Sequence, residues 1–308
     1  MIAAITGANG FIGRHLVQWL GEAGFDVRPI VRRDFETGIA ETLLQGADIA
    51  VHAAAATRAP TVEALRASNV GLTARVIDAA RTGGVRRLVF ISSQAAAGPA
   101  QSLDRPVDEE TPPAPIEAYG RTKLDAEALV RGASDLESVI VRPVSVYGPG
   151  DRDFPTLFAL AGRGVAIHPG NREQWVSIIH VRDVVEGIRR AATESEAAGR
   201  TYFLANDEPV QWDALFRAAA TIAGQRLWLD LELPTAVVRL AGRMGDVAAS
   251  MTGHAGLLTS EKVKMAEPRF WVCSNARARR ELGFTPAVPL LDGLRETYDA
   301  IVATRTRR

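Results

Sequence analysis

The first seventeen residues constrain the fold of this chain more than any other stretch. Apolar residues 2–5 predict a short, buried parallel strand. Three glycines then follow at three-residue spacing, Gly7, Gly10 and Gly13. Apolar residues at positions 12, 16, 17 and 20 share one face of a helix that begins within the glycine run. The segment therefore predicts a strand, a glycine turn and a helix in direct succession.

This succession is the layout of a dinucleotide site. The first glycine permits a tight turn, the second lets a pyrophosphate approach the backbone, and the third lets the helix pack closely on the strand. The free N–H groups and the dipole at the helix start attract the anion. A turn that merely uses glycine is the alternative interpretation. We expect the cofactor to bind along the turn, at Gly7, Asn9, Gly10, Phe11, Ile12 and Gly13.

The pattern up to residue 150 alternates between strand and helix. Short apolar runs predict strands at 27–31, 49–52, 88–91 and 139–141, and helical patterns cover 61–81 and 119–131. Such alternation predicts an α/β fold with a doubly wound, Rossmann-like parallel sheet. We assign residues 1–150 to a dinucleotide-binding domain to which 176–205 returns. Residues 151–175 and 206–308 are assigned to a smaller, mostly helical substrate domain.

Bulk composition excludes several classes of protein. The 308 residues include 36 Lys+Arg and 36 Asp+Glu, so no basic footprint indicates a nucleic-acid partner. Cys273 is the single cysteine, which fits a reducing compartment. We find no signal peptide and no apolar run that is long enough to span a membrane. We therefore expect a cytoplasmic protein without a membrane span.

A second constellation indicates proton-transfer chemistry. Tyr119 and Lys123 are four residues apart and share one helix face. A nearby ammonium lowers the pKa of a phenol, so that the tyrosine can exchange a proton with an alcohol while a hydride moves. Ser93 follows a predicted strand and is placed to orient the same oxygen; Ser92 is the alternative hydroxyl. We expect Ser93, Tyr119 and Lys123 to be catalytic.

The end of the second predicted strand bears on the choice of nucleotide. A site for NAD places a carboxylate there for the ribose 2′-hydroxyl, but this chain has Arg32 and Arg33. Guanidinium groups suit a 2′-phosphate. We therefore expect NADP, with NAD possible if Asp34 turns inward or both arginines are merely solvated.

No metal site is predicted. The five histidines, at positions 15, 52, 168, 180 and 254, lack metal-ligand spacing. His52 and His180 adjoin apolar strand residues, and we interpret them as structural.

The chain resembles extended short-chain dehydrogenases/reductases of the NAD-dependent epimerase/dehydratase family along nearly its whole length. The resemblance rests on these segments: TGANGFIG at 6–13, the strand from Asp48 into HAAA at 52–55, NVGLT at 69–73, ISS at 91–93, YGRTK at 119–123, RPVSVYGPGD at 142–151, HVRD at 180–183 and ARRELGF at 278–284.

The resemblance implies roles for particular residues. Ser93, Tyr119 and Lys123 form the catalytic trio, with the lysine also bonding the nicotinamide ribose and the serine the substrate oxygen. The further cofactor-binding positions that it implies are Asp48, Ala53, Ala54, Ala55, Asn69, Ser92, Pro143 and Val146.

The resemblance leaves the substrate open. Gln94 and Ala95 stand where sugar-nucleotide dehydratases of this family carry an Asp-Glu pair, which argues against dehydration. The apolar helix predicted over 233–253 resembles 3β-hydroxysteroid dehydrogenase-like and dihydroflavonol reductase-like branches, although it equally suits a core or subunit contact. We expect hydride transfer at a secondary alcohol or ketone carbon of a hydrophobic small molecule.

We also consider two alternative functions and predict an oligomeric state. The first alternative is a nucleotide-sugar epimerase of the UDP-sugar 4-epimerase type, whose diphosphate could meet Arg152, Arg163, Arg172 and His168. The second is a non-catalytic NADP-binding regulator. In similar proteins the helices at 61–81 and 119–131 pair between subunits, so we expect a homodimer.

Overall fold

A six-stranded parallel sheet organises the N-terminal two-thirds of the chain. The computed structural model describes residues 1–252 and 259–306, so residue 253, at the end of the predicted apolar helix, and His254 lie outside the described residues. The strands of this sheet are β1 (Ile2–Thr6), β2 (Asp26–Ile30), β3 (Ile49–His52), β4 (Arg87–Ile91), β5 (Glu137–Pro143) and β10 (Thr201–Leu204). Their order is β10-β5-β4-β3-β1-β2, and every neighbouring pair is parallel.

The central strands read as apolar runs because helices cover both faces of the sheet. All residues of β3 and β4 are buried. The covering helices are α1 (Phe11–Glu22), α2 (Arg32–Thr37), α3 (Ile39–Leu44), α4 (Val62–Arg66), α5 (Leu72–Thr82), α6 (Gln94–Ala97), α7 (Ala118–Gly132) and α9 (Val181–Thr193). The predicted doubly wound Rossmann architecture is confirmed.

The chain changes direction at β1. It leads first to β2 on one side and then returns to β3 on the other side of β1. The crevice at such a switch point, at the carboxyl ends of the strands, is where open α/β sheets bind ligands. The glycine turn lies at this point, directly after β1.

A second lobe is built from helices and short strands. Its helices are α8 (Phe154–Ala161), α10 (Trp212–Ile222), α11 (Thr235–Thr252), α12 (Ser260–Ala266) and α14 (Leu290–Thr306), whereas α13 (Ala276–Leu282) packs on the Rossmann sheet. The remaining strands are β6 (Ser145–Tyr147), β7 (Val165–Pro169), β8 (Trp175–Val176), β9 (Ile178–His180), β11 (Val210–Gln211), β12 (Leu229–Leu233) and β13 (Phe270–Trp271). The helices predominate as expected, but β7 pairs with β12, and β8 pairs with β11 and β13.

Two predicted elements are interrupted. The helix expected over 61–81 contains a π-helical turn, Ala67–Gly71, between α4 and α5. The largely apolar segment at 175–181, which also suggests one strand, divides at Ser177 into β8 and β9, which join different sheets. Short apolar runs do not show where hydrogen bonding changes partner, because the partners are distant in sequence.

The end of the chain returns to the sheet. Cys273, Ala278, Leu282 and Phe284 are buried in the same hydrophobic core as β1, β3 and β10. The carboxylate of Asp183, on α9, accepts hydrogen bonds from the Ala287 and Val288 amides at 2.9 and 3.2 Å. The segment around 273–284 thus packs on the Rossmann unit, although the sequence assigned it to the substrate domain; the division into two domains stays a prediction. Within the described residues, no helix has both the length and the apolar character needed to cross a membrane.

Candidate active site

The glycine turn has the shape that a dinucleotide requires. Gly7 has φ +72°, and a Cβ there would lie 2.6 Å from the Ala54 amide nitrogen. A Cβ on Gly13 would lie 2.0 Å from the Gly7 carbonyl oxygen. Gly10 precedes the first residue of α1, and no side chain caps the helix. The helix start therefore presents backbone N–H groups to an anion, and the turn fits a pyrophosphate.

The loop after β3 forms the opposite side of this turn. The Ala53 amide donates to the Thr6 carbonyl at 3.2 Å, next to β1. The side chain of buried Asn69 holds Ala56, accepting from its amide at 2.8 Å and donating to its carbonyl at 3.0 Å. The same amide group donates to Thr122 Oγ1 at 2.9 Å. Asn69 therefore anchors the alanine loop, which includes Ala54 and Ala55, to α7.

The two arginines that suggested NADP lie directly after β2. Arg32 and Arg33 are the first two residues of α2, and both are exposed. The Asp34 carboxylate turns back and accepts the Val31 amide at 2.7 Å. Asp34 thus caps α2, whereas the two guanidinium groups remain at the edge of the sheet where the glycine turn lies.

Ser93 and Tyr119 meet through tight packing of α6 against α7. Ser93 is the N-terminal cap of α6, with its Oγ accepting the Ala95 amide at 3.1 Å. A Cβ on Gly120 would lie 2.2 Å from the Ala95 carbonyl oxygen, so only glycine permits this approach. The Ser93 side chain lies near enough to the Tyr119 hydroxyl to work towards a lower pKa of Tyr119. Two residues that were predicted to act together are therefore neighbours in the folded chain.

The protonation state of Tyr119 differs from the sequence-based expectation. Burial, reinforced by the negative charge of Glu117, raises the pKa of Tyr119 to about 12, and the Ser93 hydrogen bond only partly opposes this. The expected lowering by Lys123 is absent from these causes. The reason is geometric, because the Lys123 ammonium is bound elsewhere.

Lys123 lies beneath the end of β4. Its Nζ donates to the Ile91 carbonyl at 2.7 Å and lies 4.1 Å from the centre of the Phe90 ring. Burial lowers the pKa of Lys123 to about 7, against the opposing charge of Glu127. The side chain is 2% exposed and belongs to the same face of α7 as Tyr119.

Two of the expected cofactor positions are engaged elsewhere. The Asp48 carboxylate accepts the Ile2 amide at 2.7 Å, at the amino ends of β1 and β3, so it lies at the sheet edge opposite the glycine turn. Ser92 is buried and donates to Glu127 Oε1 at 2.5 Å. The structure thus favours Ser93 over Ser92 as the hydroxyl beside Tyr119. Pro143 is the last residue of β5, and Val146 is the middle residue of β6, the strand that follows it at the ligand-binding edge.

The two histidines that we interpreted as structural, His52 and His180, are each positioned by hydrogen bonds. His52 Nδ1 lies 2.7 Å from Thr6 Oγ1, and Nε2 lies 3.0 Å from Thr73 Oγ1. Burial and the nearby Lys123 charge lower the pKa of His52 to about 3. His180 caps α9, which begins at Val181.

Sequence reasoning did not single out three acidic residues that shape the site. Glu117 accepts the Tyr119 and Gly120 amides at 2.5 and 2.6 Å and caps α7. Glu261, on α12, accepts the Ala118 amide at 2.5 Å. Glu127 binds Arg142 through two hydrogen bonds of 2.9 and 2.7 Å. Only Glu117 had a local signal, an acidic residue immediately before a helix.

A further polar cluster lies apart from this site. His168 Nε2 lies 3.1 Å from Asp230 and 3.6 Å from Asp213, and sequence spacing gave no indication of the grouping. Arg172 pairs with Asp230, and Arg217 pairs with Asp213. The arginines offset the two carboxylate charges, so we interpret the cluster as an ion-pair network that joins β7, β12 and α10.

Comparison with known proteins identifies the family. The sequence model of the NAD dependent epimerase/dehydratase family matches residues 3–205. The chain belongs to that family. Ceramide reductase of Caulobacter vibrioides (strain NA1000 / CB15N) is 30% identical, with 97% of this chain and 93% of the relative covered. An Arabidopsis thaliana 3beta-hydroxysteroid-dehydrogenase/decarboxylase, isoform 1, is 27% identical, with 96% and 78% covered.

The same family architecture appears among solved structures. UDP-glucuronic acid 4-epimerase from Bacillus cereus, in complex with UDP-glucuronic acid and NAD, has a TM-score of 0.80 at 21% identity, covering 99% of this chain and 100% of the epimerase. By its family and its relatives, this chain is an NAD(P)-dependent enzyme of the extended short-chain dehydrogenase/reductase type, as its motifs predicted.

Proposed function

We propose that this epimerase/dehydratase-family enzyme uses NADP to transfer a hydride to or from a secondary alcohol or ketone carbon of an apolar small molecule. Ser93, Tyr119 and Lys123 carry the proton chemistry. The observation that supports the proposal most directly is the placement of Ser93, the N-terminal cap of α6, beside Tyr119 at the carboxyl edge of the sheet, next to a glycine turn that fits a pyrophosphate.

The geometry suits reduction of a ketone. When bound, the nicotinamide supplies the hydride. Tyr119, with its pKa raised to about 12, is protonated at neutral pH and donates to the substrate oxygen, while Ser93 orients that oxygen. Lys123 lies on the same helix face to hold the ribose and to balance the phenolate that forms. In the reverse direction the same groups withdraw the alcohol proton.

The proposed substrate class rests on residues near the candidate site and on the relatives of this chain. Gln94 and Ala95, directly after Ser93, provide no acid or base for dehydration. The guanidinium of Arg172, offered by the sequence for a nucleotide diphosphate, is paired with Asp230. The ceramide and hydroxysteroid enzymes among the relatives also favour an apolar substrate. A nucleotide-sugar epimerase is the second candidate, supported by the fold shared with UDP-glucuronic acid 4-epimerase.

Replacement of the tyrosine tests this proposal. We expect Tyr119→Phe to lower kcat at least about 100-fold for ketone reduction, because the proton donor is lost. The dissociation constant of NADP, measured by fluorescence titration, should stay within about twofold. Unchanged turnover in Tyr119→Phe would contradict the role of the tyrosine, whereas no wild-type turnover with any apolar ketone tested would support the epimerase or the non-catalytic NADP-binding regulator instead.

The preference for NADP has its own test. We propose that Arg32 and Arg33 bind the 2′-phosphate, since both are exposed beside the glycine turn. The double replacement by alanine should lower the ratio of kcat/KM with NADP to kcat/KM with NAD by about tenfold or more. Arg86→Ala, directly before β4 at the opposite edge of the sheet, is the matched control. An unchanged ratio would indicate that the arginines are only solvated.

We also propose a cytoplasmic homodimer. The lone Cys273 fits a reducing compartment. Val62 on α4 and Leu129 on α7 are 53% and 38% exposed, which leaves apolar area on the helices predicted to pair. Light scattering should give the mass of a dimer for the wild type and of a monomer for Val62→Glu/Leu129→Glu. A monomeric wild type would contradict the proposal.

A further inference from the structure

Glu127 is a fully buried carboxylate behind the candidate catalytic residues. Its side chain is 0% exposed, so bulk water cannot supply hydrogen bonds to the carboxylate oxygens. It receives two hydrogen bonds from Arg142 at 2.9 and 2.7 Å, one from Ser92 at 2.5 Å and one from Arg131 at 2.7 Å. Burial works to raise the pKa of Glu127, but the bonds and charge of Arg142 hold it below its usual value. Glu127 is therefore ionised at neutral pH.

The position of Glu127 ties three elements of the site together. On α7 it lies one turn after Lys123, on the same helix face. Through Ser92 it holds the end of β4, immediately before Ser93. Through Arg142 it holds β5. One carboxylate therefore contacts the residue beside Ser93 and shares a helix face with both Tyr119 and Lys123.

The charges around Lys123 make this carboxylate important. His52, from β3, is close enough for its charge to be coupled to that of Lys123, but burial keeps the imidazole neutral. Tyr119 is protonated at neutral pH, and Arg142 on β5 is a further buried cation. Burial lowers the pKa of Lys123. Among the described residues, Glu127 is the carboxylate whose negative charge works to raise it.

We propose that Glu127 is a positioning residue for hydride transfer, which keeps the buried Lys123 ammonium charged and fixes the Ser92–Ser93 segment against α7. The inference rests on the proposed function, in which a charged Lys123 holds the ribose and balances the Tyr119 phenolate. Glu127 itself touches neither substrate nor cofactor in this role.

The charge state of Lys123 can be read directly, because the sequence contains only three lysines, Lys123, Lys262 and Lys264. In protein labelled with 13C at the lysine ε-carbon, three NMR signals are expected, and Lys262→Arg and Lys264→Arg identify the other two. In Glu127→Gln the Lys123 titration midpoint should move to lower pH by about one unit or more, because an adjacent opposite charge is lost.

Asp125→Asn is the matched control. Asp125 is also on α7, two residues from Lys123, but it is partly exposed and pairs with Arg66 on the outer side. This variant removes the same formal charge and should leave the Lys123 midpoint within about 0.3 pH units, since solvent screens it. A shift as large as that of Glu127→Gln would contradict a specific role for Glu127.

A kinetic measurement, the dependence of kcat for ketone reduction on pH, complements the NMR titration of Lys123. In Glu127→Gln the alkaline decline of kcat should begin at lower pH, parallel to the Lys123 titration, while Asp125→Asn keeps the wild-type profile. A purely structural role would lower Tm and kcat at every pH without moving either midpoint. That outcome would overturn the inference but not the proposed function, which requires only that the wild type turns over and Tyr119→Phe does not.

A second variant guards against misfolding. Glu127→Gln leaves the Arg142 guanidinium buried without its counter-ion, which is strongly destabilising in general. Glu127→Met/Arg142→Met replaces the pair by apolar side chains and restores packing. We expect it to fold and still to show the lowered Lys123 midpoint. A folded double variant with the wild-type midpoint would overturn the inference.

Discussion

At the scale of single residues, burial sets the chemistry of the site more than neighbouring charge does. Desolvation lowers the pKa of Lys123 to about 7 and raises that of Tyr119 to about 12. Both shifts favour the neutral form of the group. Tyr119 is thereby kept as a proton donor, whereas Lys123 stands close to losing its charge and depends on its surroundings to retain it.

His52 gives a stability prediction at this scale. Its pKa is about 3 in the folded chain and 6.5 in the unfolded chain, so between these values the unfolded chain binds more protons. The free energy of unfolding therefore falls as the pH decreases from 6.5 towards 3. His52→Gln keeps polar atoms for Thr6 and Thr73, and should reduce this slope by up to about 1.4 kcal/mol per pH unit.

Urea unfolding at a series of pH values measures the slope for both proteins. His180, whose pKa burial lowers to about 4, leaves a residual slope in the variant. Equal slopes for the wild type and His52→Gln would show that His52 titrates normally in the folded protein.

At the scale of elements, glycine decides how closely α1 and α7 approach their neighbours. Gly13 lets α1 pack against the turn that follows β1, and Gly120 lets α7 pack against α6. Each of these glycines lies in a helix, where glycine is otherwise unfavourable by about 1 kcal/mol relative to alanine. Close approach therefore takes precedence over helix propensity at both positions.

Two substitutions within α1 separate these effects. Gly13→Ala places a Cβ 2.0 Å from the Gly7 carbonyl oxygen, so the turn must shift. We expect NADP affinity to fall about tenfold or more, because the N–H groups of the helix start are displaced from the pyrophosphate. Isothermal titration calorimetry measures this change.

Gly21→Ala is the control on the same helix. Nothing lies within 4 Å of a Cβ at Gly21, so the substitution should raise the free energy of unfolding by roughly 0.5–1 kcal/mol. NADP affinity should be unchanged. If both variants bound NADP like the wild type, the steric account of the fingerprint would be wrong.

At the scale of the whole molecule, the second lobe contacts the active-site helix through α12. Glu261 accepts the Ala118 amide, one residue before Tyr119, and also contacts Arg121 on α7. The following residue, Lys262, is close enough to sense the charges of Arg58 and Asp153, which form an ion pair at 2.8 Å between the loop after β3 and the start of α8. The lobes therefore meet next to Tyr119.

This contact predicts a kinetic effect. Glu261→Ala should raise the KM for the ketone several-fold, because the Ala118 amide loses its acceptor and α12 its attachment to α7. The dissociation constant of NADP should not change, since Glu261 bonds to α7 and not to the glycine turn. Glu267→Ala, which removes a partly exposed partner of Arg239 in the same lobe, is the control. An equal effect of both variants on KM would contradict a specific role for Glu261.

The sequence by itself determined those features of the protein that depend on residues close together in the chain. The glycine turn, the parallel strands and the pairing of Tyr119 with Lys123 on one helix face all follow from short spacings that secondary structure repeats. That a serine lies at the ligand-binding edge follows for the same reason, because both Ser92 and Ser93 come after β4, but the preference for Ser93 over Ser92 rests on the contact of Ser92 with Glu127.

Only the tertiary structure decided which groups share a charge environment. It placed Asp48 at the wrong edge of the sheet, raised rather than lowered the pKa of Tyr119, and brought Glu261 to an amide 143 residues away. It also buried Glu127 between α7 and β5. Desolvation and ion pairing depend on what the whole chain packs around a group, and no local pattern encodes that packing.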